Sequence, residues 1–203
     1  MFDYIQRFVD LMNTGGVVMW VLFLLNFFLW YGLGYRYFIL KRGTKGNIRR
    51  LIDKHEKRGD TQEMRGMLDY AVADALNAAK EAKVIGANMR KHVYGTLLPY
   101  YADTSIYSTL VKTIIVLAPL IGLLGTVMGM IETFDALQNS SMFSQGASIS
   151  GGISKALFTT ELGLLVAVPG LILGRVLDKK AQRYELELEQ MTDIICTKDS
   201  YEI

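Results

Sequence analysis

GISKALFTTELGLLVAVPGLILGRVL, residues 152–177, reads as one helix that crosses a lipid bilayer. A bilayer core of about 30 Å needs about 20 mostly apolar residues in one helix. The stretch supplies them, with Lys155, Glu161 and Arg175 as its only charged residues. Two more blocks have the same character: Gly16 to Leu40, GVVMWVLFLLNFFLWYGLGYRYFIL, and Thr113 to Phe134, TIIVLAPLIGLLGTVMGMIETF. A soluble domain would spread its apolar residues with period 2 or 3.6. Here the charges lie between the blocks. The fold class is all-α: an integral membrane protein with three transmembrane helices, helices two and three extended into the cytoplasm.

Composition narrows the function. The 203 residues are 51% hydrophobic and carry a formal net charge of +2, too small an excess for nucleic-acid binding. The sole cysteine, Cys196, excludes an internal disulfide framework and any CxxC metal or redox motif. His55 and His92 both fall in a charged region and predict no metal site. No nucleophile–base set or phosphate loop is present, so no catalytic residue is assigned.

Loop charges set the orientation. Lys41, Arg42, Lys45, Arg49, Arg50, Lys54, Lys57 and Arg58 follow the first block, and Lys179, Lys180 and Arg183 follow the third. Ala136 to Gly152 holds no Lys or Arg. By the positive-inside rule the N-terminus is periplasmic and the C-terminus cytoplasmic. The chain divides into a periplasmic or interfacial segment (1–15), transmembrane helix one (16–40), a cytoplasmic helical region (41–112), helix two (113–134), a periplasmic loop (135–152), helix three (153–177) and a cytoplasmic tail (178–203). The first block exceeds a secretory h-region and lacks an A-x-A-like site, so it reads as a retained helix. Before it, Phe2, Ile5, Val9 and Met12 share one helical face, as in an interfacial helix or a frayed terminus.

In the cytoplasmic region, Asp60 and Glu63 offer a capping box for a helix to about Lys91, with Met64, Met67, Leu68, Ala71 and Ala75 as its packing face. Gly95 and Pro99 mark a turn, and a new helix is expected from near Asp103 straight into the second block. Beyond Asp178, the spacing of Leu177, Tyr184, Leu188, Met191 and Ile195 predicts an amphipathic extension of helix three, packed on its own chain or on another subunit.

Small residues form a stripe on each of the later spans. Helix two carries Ala118, Gly122, Gly125 and Gly129; helix three carries Ala156, Thr160, Gly163, Ala167, Gly170 and Gly174. In lipid such stripes let backbones approach closely, so the two helices pack side by side, line something or clasp a partner. Pro119 and Pro169 each remove a backbone donor and are candidate kinks. Thr126 and Thr160 fall at one depth, roughly 10–12 Å below the outer surface at 1.5 Å per residue, and fit a proton path or bonds back to their own helices. Glu161 lies inside the apolar run, where a carboxylate is neutral, paired or near water. Facing partner helices it belongs to the proton pathway with the threonines, and facing another helix of its own chain it is a hydrogen-bonding group with a structural role. Glu132, Asp135 and Lys155 fall near the outer interface, where solvation accounts for them.

APLIGLLGTVMGMIETF (118–134) and GISKALFTTELGLLVAVPG (152–170) resemble the MotA/TolQ/ExbB proton-channel family in spacing and order. Three spans and a short chain favour its ExbB/TolQ branch. The resemblance implies a homopentamer in the inner membrane, around a dimer of an ExbD/TolR-type single-helix partner whose Asp carries the proton. It also implies coupling to a TonB- or TolA-like protein, with protons as the coupling ion and no other cofactor. The family's two pore threonines fall on Thr126 and Thr160, and Thr159 lies one step off the stripe. Two departures are Lys155, where an acidic residue is common, and Glu161, where a small one is.

The function expected is therefore a proton-channel or stator subunit that energises a TonB- or Tol-type system. A solute transporter fits less well, since three spans give no inverted repeat or substrate pocket. A passive scaffold explains the stripes but neither Glu161 nor the threonines.

Overall fold

The computed structural model describes residues 6, 9, 12, 13, 15–41, 47–58, 66–139 and 145–200. They form α1 (Gly16–Ile39), α2 (Ile48–Arg58), α3 (Met67–Ile85), α4 (Met89–Ser105), α5 (Ser108–Asn139) and α6 (Gln145–Ser200). No strand occurs among the described residues. Three helices are long and apolar enough to cross a membrane: Gly16–Ile39, the α4–α5 stretch Met89–Asp135, and Ile149–Lys198. The capping-box pair Asp60 and Glu63, Met64, and the apolar positions Phe2 and Ile5 lie outside the described residues.

The chain folds as two compact units, one of residues 1–33 and 109–174, the other of residues 34–108 and 175–203. In the first, α1, α5 and α6 pack through small residues. A Cβ on Gly122 would lie 2.9 Å from the Thr159 carbonyl oxygen, one on Gly129 2.9 Å from the Gly152 carbonyl oxygen, and one on Gly163 2.8 Å from the Ala118 carbonyl oxygen. Backbone therefore meets backbone at Gly122, Gly129 and Gly163 of the α5–α6 seam, as close helix association in lipid requires. Lower on α6, Gly170 admits Leu29 of α1 and Ile115 of α5, and Gly174 faces Ile115 and Val111. The two stripes thus serve each other inside one chain. Both α5 and α6 continue through their prolines, Pro119 and Pro169.

This seam gives a direct test. Gly163→Ala forces a methyl against the Ala118 carbonyl and is expected to cost about 1–3 kcal/mol, the usual penalty of overpacking. Gly95→Ala meets nothing within 4 Å and is expected to be neutral or to stabilise by about 0.5–1 kcal/mol through helix propensity. Equilibrium unfolding in mixed micelles separates the two, and equal effects would remove the seam as the cause.

In the second unit α3 and α4 form an antiparallel hairpin. Gly86 takes φ 68° after α3, and the Ala87 N–H donates to the Ala82 carbonyl at 3.0 Å, a left-handed cap that glycine makes without strain. Asn88 then caps α4, its side chain accepting from the Lys91 N–H at 3.2 Å. Met67, Leu68, Ala71 and Ala75 are buried as expected. The α6 extension buries Leu177, Tyr184, Leu188, Met191 and Ile195 within this chain, with the Tyr184 hydroxyl donating to the Leu40 carbonyl at 3.1 Å.

Three expectations change here. The first helix of the hairpin ends at Ile85, not near Lys91. Gly95 and Pro99 mark no turn: both are exposed in the interior of α4, where water can satisfy the carbonyl the proline frees. Nor does a helix run unbroken from Asp103, because the chain breaks at Ile106–Tyr107 and α5 starts at Ser108. Tyr107 adopts φ 55° there, a left-handed conformation unfavourable for a bulky residue. Its ring packs edge-on against Tyr35, centroids 5.1 Å apart.

Candidate functional site: the α5–α6 seam

The seam of the first unit brings together most of the residues singled out in the sequence. Ala118, Gly122, Gly125 and Gly129 of α5 face Gly163, Thr160, Thr159 and Ala156 of α6 in antiparallel register. Close approach requires the glycines, and what fills the space opposite them is the pair Thr159–Thr160. Thr159 is fully buried beneath Gly125 and donates to the Ala156 carbonyl at 2.9 Å. Thr160 is half-buried and donates to the same carbonyl at 3.3 Å.

Thr126, also half-buried, donates to the Leu123 carbonyl at 2.6 Å. Both candidate hydroxyls therefore bond back to their own helices. The register also separates them. Gly125 stands opposite Thr159, so Thr126 lies about two residues, roughly 3 Å, from the level of Thr160. Neither hydroxyl is enclosed by the protomer.

Glu161 is exposed on the outer surface of α6, beside Leu157, Leu164 and Leu165, which are 66%, 51% and 67% exposed. It makes no hydrogen bond or ion pair among the described residues. The long apolar faces of α5 and α6 on either side of it are likewise uncovered by this chain.

Toward the end of the seam that carries the α5–α6 connection, Lys155 and Glu132 form a two-pronged ion pair, with Nζ at 2.6 and 2.7 Å from the two carboxylate oxygens. The sequence reading gave each to solvent separately. The ammonium is largely shielded, and it stands where a Cβ on Gly16 would come within 3.0 Å. Lys155 thus ties α5 to α6 beside the start of α1.

A second polar cluster went unread in the sequence. Arg36 is 1% exposed, and its Nη2 lies 2.9 Å from Asp178 Oδ1, which also accepts from the Ser108 hydroxyl at 3.2 Å. The Arg36 Nε and Nη1 atoms are buried without a partner. The available signal was a pair of opposite charges, each at the polar end of an apolar block.

The sequence model of the MotA/TolQ/ExbB proton channel family matches residues 39–190. Among curated proteins, the ExbB-like 3 biopolymer transport protein of Synechocystis sp. is 42% identical over 71 residues, 34% of this chain and 34% of that protein. Biopolymer transport protein exbB1 of Vibrio cholerae is 35% identical over 80 residues, 39% of this chain and 35% of that protein. Biopolymer transport protein ExbB of Aquifex aeolicus is 36% identical over 80 residues, 39% of this chain and 53% of that protein. The chain thus spans about a third to a half of the curated relatives it matches. With a family match over most of its length and ExbB proteins as its relatives, this membrane protein belongs to the MotA/TolQ/ExbB proton channel family, on its ExbB/TolQ branch.

Proposed function

We propose that the chain is the channel-forming subunit of a proton-driven membrane motor. Several copies, five by the family resemblance, surround a single-helix partner of ExbD/TolR type and energise a TonB- or Tol-type system across the periplasm. The N-terminus and the α5–α6 connection lie on the periplasmic side, and residues 41–112 and 178–203 lie in the cytoplasm, where their basic residues follow the spans. The observation that carries this reading is the α5–α6 seam. Two family motifs pack backbone to backbone, leaving half-buried hydroxyls and one carboxylate on apolar surfaces that the protomer does not cover. A lone protomer in lipid leaves Glu161 at a cost of a few kcal/mol. Surrounding copies and a partner with a hydrated interior relieve it.

The test is Thr126→Val with Thr160→Val, which keeps shape and removes both hydroxyls. The double variant is expected to assemble normally and to lose about a hundredfold or more of the partner-dependent proton flux in proteoliposomes, the usual contribution of a proton-transfer group. Full flux in that variant would exclude the threonines from the path.

A further inference from the structure

On the face of the second unit between α4 and the outer part of α6 lies a groove of about 650 Å³, the size of an ordinary ligand cleft. Tyr94 and Tyr101 form one wall, ring centroids 5.8 Å apart, and Glu185, Glu189 and Asp193 the other. Its only basic residue, Arg90, is bound to Asp193 at 2.7 Å. Glu185 accepts from Thr104 at 2.8 Å, and no cation pairs with Glu189 among the described residues. Burial first, then Glu189, Tyr94, Glu185 and Asp193, push the Tyr101 hydroxyl up to about 12. The groove is negative, aromatic and half open, a setting suited to a guanidinium, which can fork onto a carboxylate and stack on tyrosine together.

The same unit displays the complementary group. On α2, Ile48, Leu51, Ile52 and His55 are buried, which turns Arg50 outward with Arg49 beside it. Neither arginine meets a carboxylate among the described residues. The chain enters this region at Leu40, bonded to Tyr184, and α2 ends with Glu56 bonded to Lys198. From Leu40 to Asp53 and Glu56, both of which meet Lys198, the chain therefore advances along α6 toward its end. Arg50 precedes Glu56 by six residues, roughly 9 Å along the axis, which sets it near the level of Glu189 and Asp193. A rotation axis parallel to α6 carries each level of one copy onto the same level of the next, with different faces meeting at each contact.

We propose that Arg50 of one copy docks in the Tyr94–Tyr101–Glu189 groove of the next, so that this groove is a head-to-tail contact between subunits. The contact rests on the ring assembly proposed above. It is a charge-assisted, tyrosine-stacked pair, and it gives the ring a fixed direction because groove and arginine lie on different faces.

A charge swap tests it, with the assembled fraction read by native mass spectrometry in mild detergent. Glu189→Arg and Arg50→Glu are each expected to lower the closed oligomer tenfold or more, and the double swap to restore it within twofold. Arg183→Glu, the same change about two turns earlier on α6, is expected to have no effect. In a Cys196→Ser background, Arg50→Cys with Glu189→Cys should give a ladder of covalent multimers on oxidation, while either cysteine alone stays monomeric. If the wild type forms a closed oligomer but the swap does not rescue and no ladder appears, the docking contact is overturned and the ring reading stands. If no oligomer forms at all, the ring reading fails with it. Loss of a co-purified basic partner with the oligomer intact, or an Arg183→Glu effect as large as that of Arg50→Glu, also overturns the contact.

Discussion

Asp178→Asn is expected to destabilise the second unit by about 3–5 kcal/mol, the cost of stranding one member of a buried ion pair. The stranded group is Arg36, 1% exposed, with Nε and Nη1 already lacking partners. Once the Asp178 carboxylate is gone, a guanidinium remains buried with no carboxylate against it among the described residues. The reverse change is milder. Arg36→Met leaves Asp178, whose side chain is 25% exposed and which keeps the Ser108 hydroxyl, so water can solvate it. Replacing both, Arg36→Met with Asp178→Leu, is expected to return stability to within about 1 kcal/mol of the wild type or above it, because apolar groups of similar size often match a buried pair. Equilibrium unfolding in mixed micelles orders the three variants. A double variant as unstable as Asp178→Asn would mean that lost packing, not the orphaned charge, sets the cost.

What was legible in the sequence followed from rules that act locally. Block hydropathy marked three helices able to span, and the four-and-three spacing of glycines marked the faces of α5 and α6 that touch. That those faces touch each other was not legible, because small-residue spacing is the same whether the partner helix belongs to the same chain or to another. The heptad-like residues from Leu177 to Ile195 posed the same ambiguity, and their own chain buries them. Breaks were read worst. The sequence offered Gly95 and Pro99, the usual punctuation, but the helix ends at Ile106–Tyr107, where a tertiary ring contact with Tyr35 accompanies a left-handed tyrosine. No local rule signals such a break. Thr159 was set aside for lying one step off the stripe, yet it is the threonine buried under Gly125. A helix pair meets over a band about two residues wide, not along a line. The buried Arg36–Asp178 pair depends on contact between residues 142 positions apart, which spacing does not show.

Glu161→Gln is expected to abolish partner-dependent proton flux while leaving assembly intact. The sequence left two roles open for this residue: a proton-exchanging group facing the partner helices, or a hydrogen-bonding group facing another helix of its own chain. The second role needs an acceptor or donor on α1 or α5, and among the described residues Glu161 has none; its side chain stands out from α6 among exposed leucines. An ionised carboxylate facing lipid there costs about 2.5–3.5 kcal/mol on insertion scales. On the function proposed above, what lies outside the protomer accounts for the residue: water in a central space, a neighbouring copy or a partner helix. Gln keeps the volume and can still hydrogen-bond, but it cannot take up or release a proton. Native mass spectrometry should show the same oligomer for Glu161→Gln as for the wild type, and Glu161→Asp should retain part of the flux. Flux at the wild-type rate in the Gln variant, measured in proteoliposomes with the partner present, would leave Glu161 a polar contact between subunits and remove it from the proton path. Loss of flux together with loss of the oligomer would point to assembly instead, which is why both are measured on one preparation.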